Sequence, residues 1–195
     1  MGYRALVEAF SHQEALPVKV DSVLDWIKAH TDHKDIRLHE VGRHKKAFRG
    51  AFRRIGVPTG KIYSHDSDII TQVLYGKDLD EKWKRLVIIK EVLHVFDPDD
   101  VQINTPEGVR RLIQAVITPE LKGFGNFLPA VSDYLGAYRA MAVMLPRHAR
   151  RRLKTALDAN KRTATEIADY VKLPDHLVGL WLDIGDEIEP QLLQL

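Results

Sequence analysis

The fold of this chain is decided by one stretch, Arg85-Leu86-Val87-Ile88-Ile89-Lys90-Glu91-Val92-Leu93-His94. Most of its positions are apolar, so a helix built from it exposes little of its surface. Near its end, Lys90, Glu91 and His94 supply a polar corner. The pattern predicts one buried helix over residues 79–95, and the partners of these polar side chains become the central question.

The composition is that of an ordinary globular protein, large enough for one core with a small appendage. The 195 residues are 45% hydrophobic, and no apolar run approaches the ~20 residues that span a bilayer. The first residues do not have the pattern of a signal peptide. The absence of cysteine excludes disulfides, cysteine-ligated zinc and thiol catalysis. We therefore expect a cytoplasmic protein with no membrane contact.

Helices, one hairpin and further helices follow one another along the chain, which favours an α+β fold that is mostly helical. A helix is predicted over residues 21–30. Residues 61–63 and 69–75 are rich in β-forming side chains and flank a polar turn, which predicts an antiparallel hairpin.

The segment 43–55 has a strongly basic composition with no acid. Phe48, Phe52 and Ile55 fall at helical spacing, so we predict a helix with one apolar and one basic face. The basic face is interpreted as solvated. The alternative is a patch for nucleic acid or an acidic partner.

Beyond the central helix, helices are predicted over residues 105–118, 128–145 and 147–160. Thr163 and Glu166 form a capping box for a short helix over 166–171, and another helix follows over 175–182. Two short helices joined by a tight turn resemble a helix-turn-helix. The tail from residue 185 is expected to dock or fray.

The polar corner resembles a metal motif with one residue changed. Two histidines four apart on a helix can grip one Zn²⁺, and a glutamate beside the first can activate the metal-bound water. Here Lys90 stands where the first histidine would be, and an ammonium group has no lone pair for a metal. His94 alone is a poor zinc site. Three acids that follow this helix are interpreted as a solvated loop: Asp97, Asp99 and Asp100.

Three segments together resemble the ImmA/IrrE family of zinc metallopeptidases, bacterial and phage proteins that typically cleave a helix-turn-helix repressor. The first is the hairpin from Gly60 to Tyr75. The second is the opening stretch, which is similar to the family's Arg-Phe-Thr-x-x-His-Glu-x-x-His. The third is Asp133-Tyr134-Leu135-Gly136-Ala137-Tyr138-Arg139-Ala140-Met141-Ala142-Val143-Met144-Leu145-Pro146, which is similar to Glu-x-x-Ala-Asn-x-Phe-Ala-x-x-Leu-Leu-Met-Pro. The resemblance covers roughly residues 55–182.

The resemblance implies a zincin-like domain over residues 1–146 and a helix-turn-helix-like segment over 147–195 packed on it. It makes Glu91 the general base, His94 the second zinc ligand and Asp133 the third, while Lys90 departs from the first ligand. It also makes a phage or prophage origin plausible. Asp133 keeps a carboxylate but is shorter than glutamate by one methylene.

Our hypothesis is that Lys90 and Asp133, with Glu91, form an ion pair in the place of the metal, so that no cofactor is bound. The alternative is that another histidine, such as His65 or His44, completes a zinc site.

Three functions are open at this point. The first is a non-catalytic pseudopeptidase that binds a protein partner, such as a helix-turn-helix repressor or another transcriptional regulator. The second is an active zinc metallopeptidase with an altered ligand set that cleaves a repressor. The third is a DNA-binding regulator that uses the C-terminal helix pair and a basic cluster. That basic cluster consists of Arg147, Arg150, Arg151, Arg152 and Lys154.

Overall fold

Helices and strands account for most of the described chain. A computed structural model describes residues 2–42, 49–58, 67–97 and 128–194, with the backbone alone at 57–58, 67–68 and 128–134. The helices are α1 Tyr3–Phe10, α2 Val20–His30, α3 Glu81–Val92, α4 Leu128–Met144, α5 Arg147–Asp158, α6 Ala164–Val171 and α7 Asp175–Leu192. The strands are β1 Asp35–Val41, β2 Gly50–Pro58 and β3 Ser67–Gly76. The fold class is therefore α+β and mostly helical, as predicted.

The sheet of the described residues has β3 in the middle. β1 runs parallel to β3, with Asp35 opposite Ile70. β2 runs antiparallel to it, with Phe52 opposite Val73. β2 is therefore an edge strand of this sheet.

The predicted helix over residues 43–55 is wrong where the structure can be compared with it, because residues 50–58 are strand β2. Phe52 is 1% exposed whereas Ile55 is 39% exposed. Positions three apart lie on one face of a helix but on opposite faces of a strand. Hydrogen bonding to β3, which local periodicity does not report, decides the outcome. The first hairpin strand is thus β2, and the predicted strand at 61–63 lies outside the described residues.

Helix α3 fulfils the prediction of a buried helix. The Asp80 carboxylate caps it by accepting a hydrogen bond from the Trp83 backbone N–H at 2.9 Å, which satisfies an amide at the helix start. The helix contacts β2, β3, α2 and α4, so Leu86 and Ile89 are fully buried. The α-helix ends at Val92, and a 3-10 turn over Leu93–Phe96 continues it.

The C-terminal helices show both a confirmed and a corrected prediction. Thr163 and Glu166 form the expected capping box. α7 continues to Leu192 instead of ending near residue 182. Glu189 and Leu192 are buried, so the tail docks as a helix. The helix predicted over 105–118 lies outside the described residues. No helix in the described ranges is long and apolar enough to cross a membrane.

Glu189 and Arg150 form an ion pair between α7 and α5. Their atoms Oε2 and Nη1 are 2.6 Å apart, and the side chains are 1% and 2% exposed. Replacing Glu189 with alanine leaves the Arg150 guanidinium without its buried partner, and breaking a buried pair typically costs ~3–5 kcal/mol. We expect Glu189→Ala to lower the free energy of unfolding, measured by urea denaturation, by about 3 kcal/mol.

Arg151→Ala is the matched control, because the Arg151 side chain is 63% exposed and pairs with Asp186 at the surface. Surface pairs contribute about 0–1 kcal/mol. Equal losses for the two variants would contradict a structural role for the buried pair.

Candidate functional site

Lys90 and Glu91 form an ion pair on the inner side of α3. Lys90 Nζ lies 3.1 Å from Glu91 Oε1, and the side chains are 15% and 6% exposed. Adjacent residues on a helix point in different directions, so the long lysine stem has to curve to bring its ammonium group to its neighbour. The hypothesised contact with Glu91 is therefore present in the structure.

Gly136 of α4 makes room for this stem. A Cβ atom added at Gly136 would lie 3.2 Å from Lys90 Cγ and 3.3 Å from Cε. The absence of a side chain at position 136 thus lets the lysine stem lie against α4. This is a close approach of the kind for which glycine is suited.

Asp133 belongs to α4, three residues before Gly136. Positions three apart share a helix face, so the backbone puts position 133 on the face that meets Lys90. The side chain of Asp133 is outside the described part of the structure, and the proposed Lys90–Asp133 pair remains a prediction. His44, His65, Asp99 and Asp100 also lie outside it. Within the described residues, no group of three or more His, Asp or Glu side chains could hold a metal ion.

His94 lies in the 3-10 turn between two carboxylates. Its Nδ1 is 2.5 Å from Asp97 Oδ2, and its Nε2 is 3.8 Å from Glu91 Oε2. The first distance is a short hydrogen bond, whereas the second is too long for one. The Phe52 ring of β2 lies beside the imidazole, with the ring centroids 5.8 Å apart. His94 is therefore oriented mainly by Asp97.

Asp97 differs from its interpretation as part of a solvated loop. Its Oδ1 accepts a hydrogen bond from Arg139 Nη1 at 2.5 Å, and its other oxygen contacts His94. Burial by itself raises the pKa of Asp97, but the bonds to His94 and Arg139 outweigh it and hold that pKa below its usual value. Asp97 is thus a fixed negative charge that connects α4 to the 3-10 turn.

Contacts made by Tyr3 and Arg54 hold this arrangement in place. The Tyr3 hydroxyl donates to the Arg139 backbone carbonyl at 3.0 Å, and the Arg139 guanidinium lies 4.6 Å from the Tyr3 ring centroid. Burial raises the pKa of Tyr3, so its hydroxyl remains a donor. From β2, Arg54 Nη2 donates to the Val95 carbonyl at 3.2 Å. Arg54 therefore contacts the turn that carries His94, which is not the solvated role expected for it.

The C-terminal basic cluster is paired with acids. Arg147 and Arg150 both bond Glu189. The remaining pairs are Arg150 and Arg151 with Asp186, Arg152 with Glu14, and Lys154 with Asp158 and Asp183. These contacts compensate much of the positive charge that made the cluster a candidate for nucleic-acid binding.

Sequence reasoning identified Lys90, Glu91 and His94 but missed the contribution of Arg139 and Tyr3. A signal for Arg139 was present, because arginine there departs from the phenylalanine of the similar family motif. Nothing in the sequence indicated that Tyr3 is a neighbour, since the two positions are 136 residues apart.

Comparisons with known proteins add no family assignment. No protein-family model, curated protein or solved structure matches the chain.

Gly50 of β2 lies against α3 beside Glu91. A Cβ atom added there would lie 2.5 Å from Val87 Cγ1 and 2.7 Å from Glu91 Cγ. We expect Gly50→Ala to lower the free energy of unfolding by about 1–3 kcal/mol, the usual cost of overpacking. Gly179→Ala in α7 is the control, since nothing lies within 4 Å of its added Cβ, and it should stabilise by about 0.5–1 kcal/mol. Urea denaturation measures both, and a stabilising Gly50→Ala would contradict the close approach.

Lys90 and Gly136 should be energetically coupled. In the native chain, alanine at position 136 gains helix propensity but pushes on the lysine stem, so Gly136→Ala should stabilise less than Gly179→Ala does. In a Lys90→Ala background the stem is absent, and the same change should give the full gain of about 0.5–1 kcal/mol. A double-mutant cycle measures the difference, and a coupling energy of zero would show that the stem does not lie against Gly136.

Proposed function

We propose that the chain is a non-catalytic protein of the ImmA/IrrE type, with a zincin-like core and a helix-turn-helix-like C-terminal segment, that binds a protein partner without cleaving it. The partner is a transcriptional regulator, such as a helix-turn-helix repressor. The observation that carries the proposal is the buried pair of Lys90 with Glu91, at 3.1 Å.

In this proposal the pair takes the place of the metal chemistry of the similar peptidases. A catalytic glutamate in such an enzyme takes a proton from a metal-bound water. In this chain Glu91 Oε1 instead accepts a hydrogen bond from Lys90. The ammonium group supplies positive charge at the position of the first metal ligand but offers no lone pair. In this proposal the Glu91 carboxylate is paired with an ammonium group and has no metal-bound water to act on.

A second departure from the similar family motif supports the same proposal. Where that motif has alanine, this chain has Gly136, and an added Cβ would meet the Lys90 stem at 3.2 Å. A site that merely lost a ligand has no need of this space. The pairing of a long side chain with a glycine opposite it is what a lysine adapted to this position requires.

The edge strand β2 offers a place for a partner peptide. In the described sheet β2 pairs only with β3, and an extended peptide can add to such an edge through main-chain hydrogen bonds. β2 also passes beside the charged site, because Gly50 lies against Glu91 and the Phe52 ring lies beside His94. A peptide bound at this edge would thus be close to the site without being cut.

The described charges favour a protein partner over DNA. The basic cluster of α5 is paired with acids of α7. If α6 and α7 acted as a helix-turn-helix, α7 would be the recognition helix, yet its exposed positions include Asp183, Asp186 and Glu187. Carboxylates on that face oppose the phosphate contacts on which DNA affinity depends.

Replacing Lys90 with histidine tests the proposal, because it completes the His-Glu-x-x-His pattern. We expect the native protein, expressed with zinc and purified without chelator, to contain no stoichiometric zinc. Lys90→His should gain close to one zinc per chain, measured by plasma mass spectrometry, if the scaffold is of the zincin type. Lys90→Gln is the matched control, since it removes the charge without adding a metal ligand, and it should remain without zinc.

The alternatives have distinct outcomes. Stoichiometric zinc in the native protein that disappears in Asp133→Ala would overturn the proposal in favour of a metallopeptidase with an altered ligand set. Salt-dependent binding to duplex DNA that is lost in Arg151→Ala and Lys154→Ala would favour the DNA-binding regulator.

A further inference from the structure

Trp83, in the first turn of α3, forms a wall of two neighbouring cavities. The larger has a volume of about 500 Å³ and lies where α3 meets the turn between α6 and α7. Its walls are Trp83, Pro174 and His176, three acidic residues, Asp80, Glu81 and Asp175, and one lysine, Lys82. The Trp83 and His176 rings lie 5.5 Å apart between centroids, at an angle of 39°. The larger cavity therefore combines aromatic surface with acidic groups.

The smaller cavity, of about 220 Å³, shows how this indole ring interacts with a cation. Arg49 Cζ lies 4.4 Å from the Trp83 ring centroid, within the range of a cation–π interaction. Asp78 and Asp80 line the same cavity. A guanidinium group beside tryptophan, flanked by carboxylates, is thus already part of this protein.

The larger cavity carries an excess of negative charge. Lys82 is shared between Asp169 and Asp175, at 2.7 and 2.5 Å, so this group of three keeps one negative charge. Lys172 neutralises Glu81 at 2.9 Å. Asp80 adds a further negative charge, of which one oxygen caps the helix. Of the residues that line the cavity, three are acids and one, Lys82, is a lysine.

We propose that the larger cavity binds the arginine or lysine side chain of a partner protein. An aromatic wall attracts a cation through its quadrupole, and carboxylates accept its charge-assisted hydrogen bonds. The volume lies within the range of about 300–1,000 Å³ that is usual for small ligands. Pro174 and the two rings contact the aliphatic stem, while Asp80 and Asp175 receive the charged end.

This site is separate from the one around Lys90. Positions 83 and 90 are seven residues apart on one helix, which is roughly 10 Å along its axis. The inference goes beyond the proposed function and does not depend on it, because the cavity would bind a cationic side chain whether or not the Lys90 site binds metal.

The test uses the full chain and arginine amide as the probe. The protein has three tryptophans, so three indole N–H signals are expected in a ¹H–¹⁵N correlation spectrum. Arginine amide should shift the Trp83 signal along a saturating curve and leave the signals of Trp26 and Trp181 in place. Trp26 is an internal control, because it stacks on His30 with centroids 4.3 Å apart and is likewise partly buried.

Citrulline and lysine ligands separate the charge of the side chain from its shape. Citrulline amide has nearly the shape of arginine amide but lacks the guanidinium charge, and it should bind about tenfold more weakly, which corresponds to about 1.4 kcal/mol. Lysine amide should shift the same signal. Equal shifts with citrulline amide, or no movement of Trp83 at 100-fold excess of arginine amide while the three signals stay dispersed, would overturn the proposal.

A pair of variants locates the binding. Asp175→Asn removes one negative charge from the cavity at nearly constant shape and should weaken arginine amide about tenfold. Asp183→Asn removes an equivalent charge from the same helix, where it pairs with Lys154, and should leave the affinity unchanged. Equal losses of affinity in the two variants would show that only the net charge of the protein matters, and this would overturn the assignment of this cavity.

Discussion

Helix α3 places an ammonium group and a carboxylate inside the protein, and the arrangement of its neighbours depends on keeping these two charges compensated. The Lys90–Glu91 pair at 3.1 Å provides the first compensation. Removing ions from water costs several kcal/mol each, and that cost is recovered only when partners and hydrogen bonds are in place. Further along, a series of polar contacts continues through the His94 imidazole, Asp97 and Arg139. Lysine and arginine thus stand at the two ends of the series, with the carboxylates and the imidazole between them.

This series of polar contacts also connects parts of the chain that are far apart in sequence. Arg139 brings α4 to the 3-10 turn through Asp97, and its backbone carbonyl receives the Tyr3 hydroxyl of α1. Arg54 reaches the same turn from β2. The orientation of His94 is therefore fixed by three elements besides its own. Such fixing suits a surface that presents a constant shape to a partner, and it does not require a metal ion.

Short sequence patterns predicted those elements of the fold whose pattern lies within a few consecutive residues. The apolar stretch of α3 and the capping box at Thr163 both contain their own explanation within a few residues. Strand β2 could not be predicted in this way, because its hydrogen bonds are to β3 and its Phe52 lies beside His94, still further along the chain. The helical spacing of Phe52 and Ile55 was a coincidence of the sequence, and nonlocal pairing overrode it.

In the candidate site, too, local contacts could be predicted from the sequence and nonlocal contacts could not. Lys90, Glu91 and His94 are close in sequence, so their proximity on a helix followed from spacing. The partners of His94 could not be predicted from spacing. Asp97 lies beyond the end of the helix, in an acidic segment that also fits a solvated loop. The contacts with His94 and Arg139 show that Asp97 is held, and its lowered pKa depends on both of them.

A lysine at position 90 places physical requirements on its neighbours. An apolar residue there would remove the ammonium group that lies 3.1 Å from the buried Glu91 carboxylate. A lysine supplies the missing charge, but its stem needs a path across α4, and Gly136 provides that path. The stem and the glycine face each other from different helices, so a single substitution at either position leaves either a cavity or a clash. Because the ammonium group is covalently attached, the charge is present whatever the supply of metal. A site built in this way is a permanent structural feature of the protein.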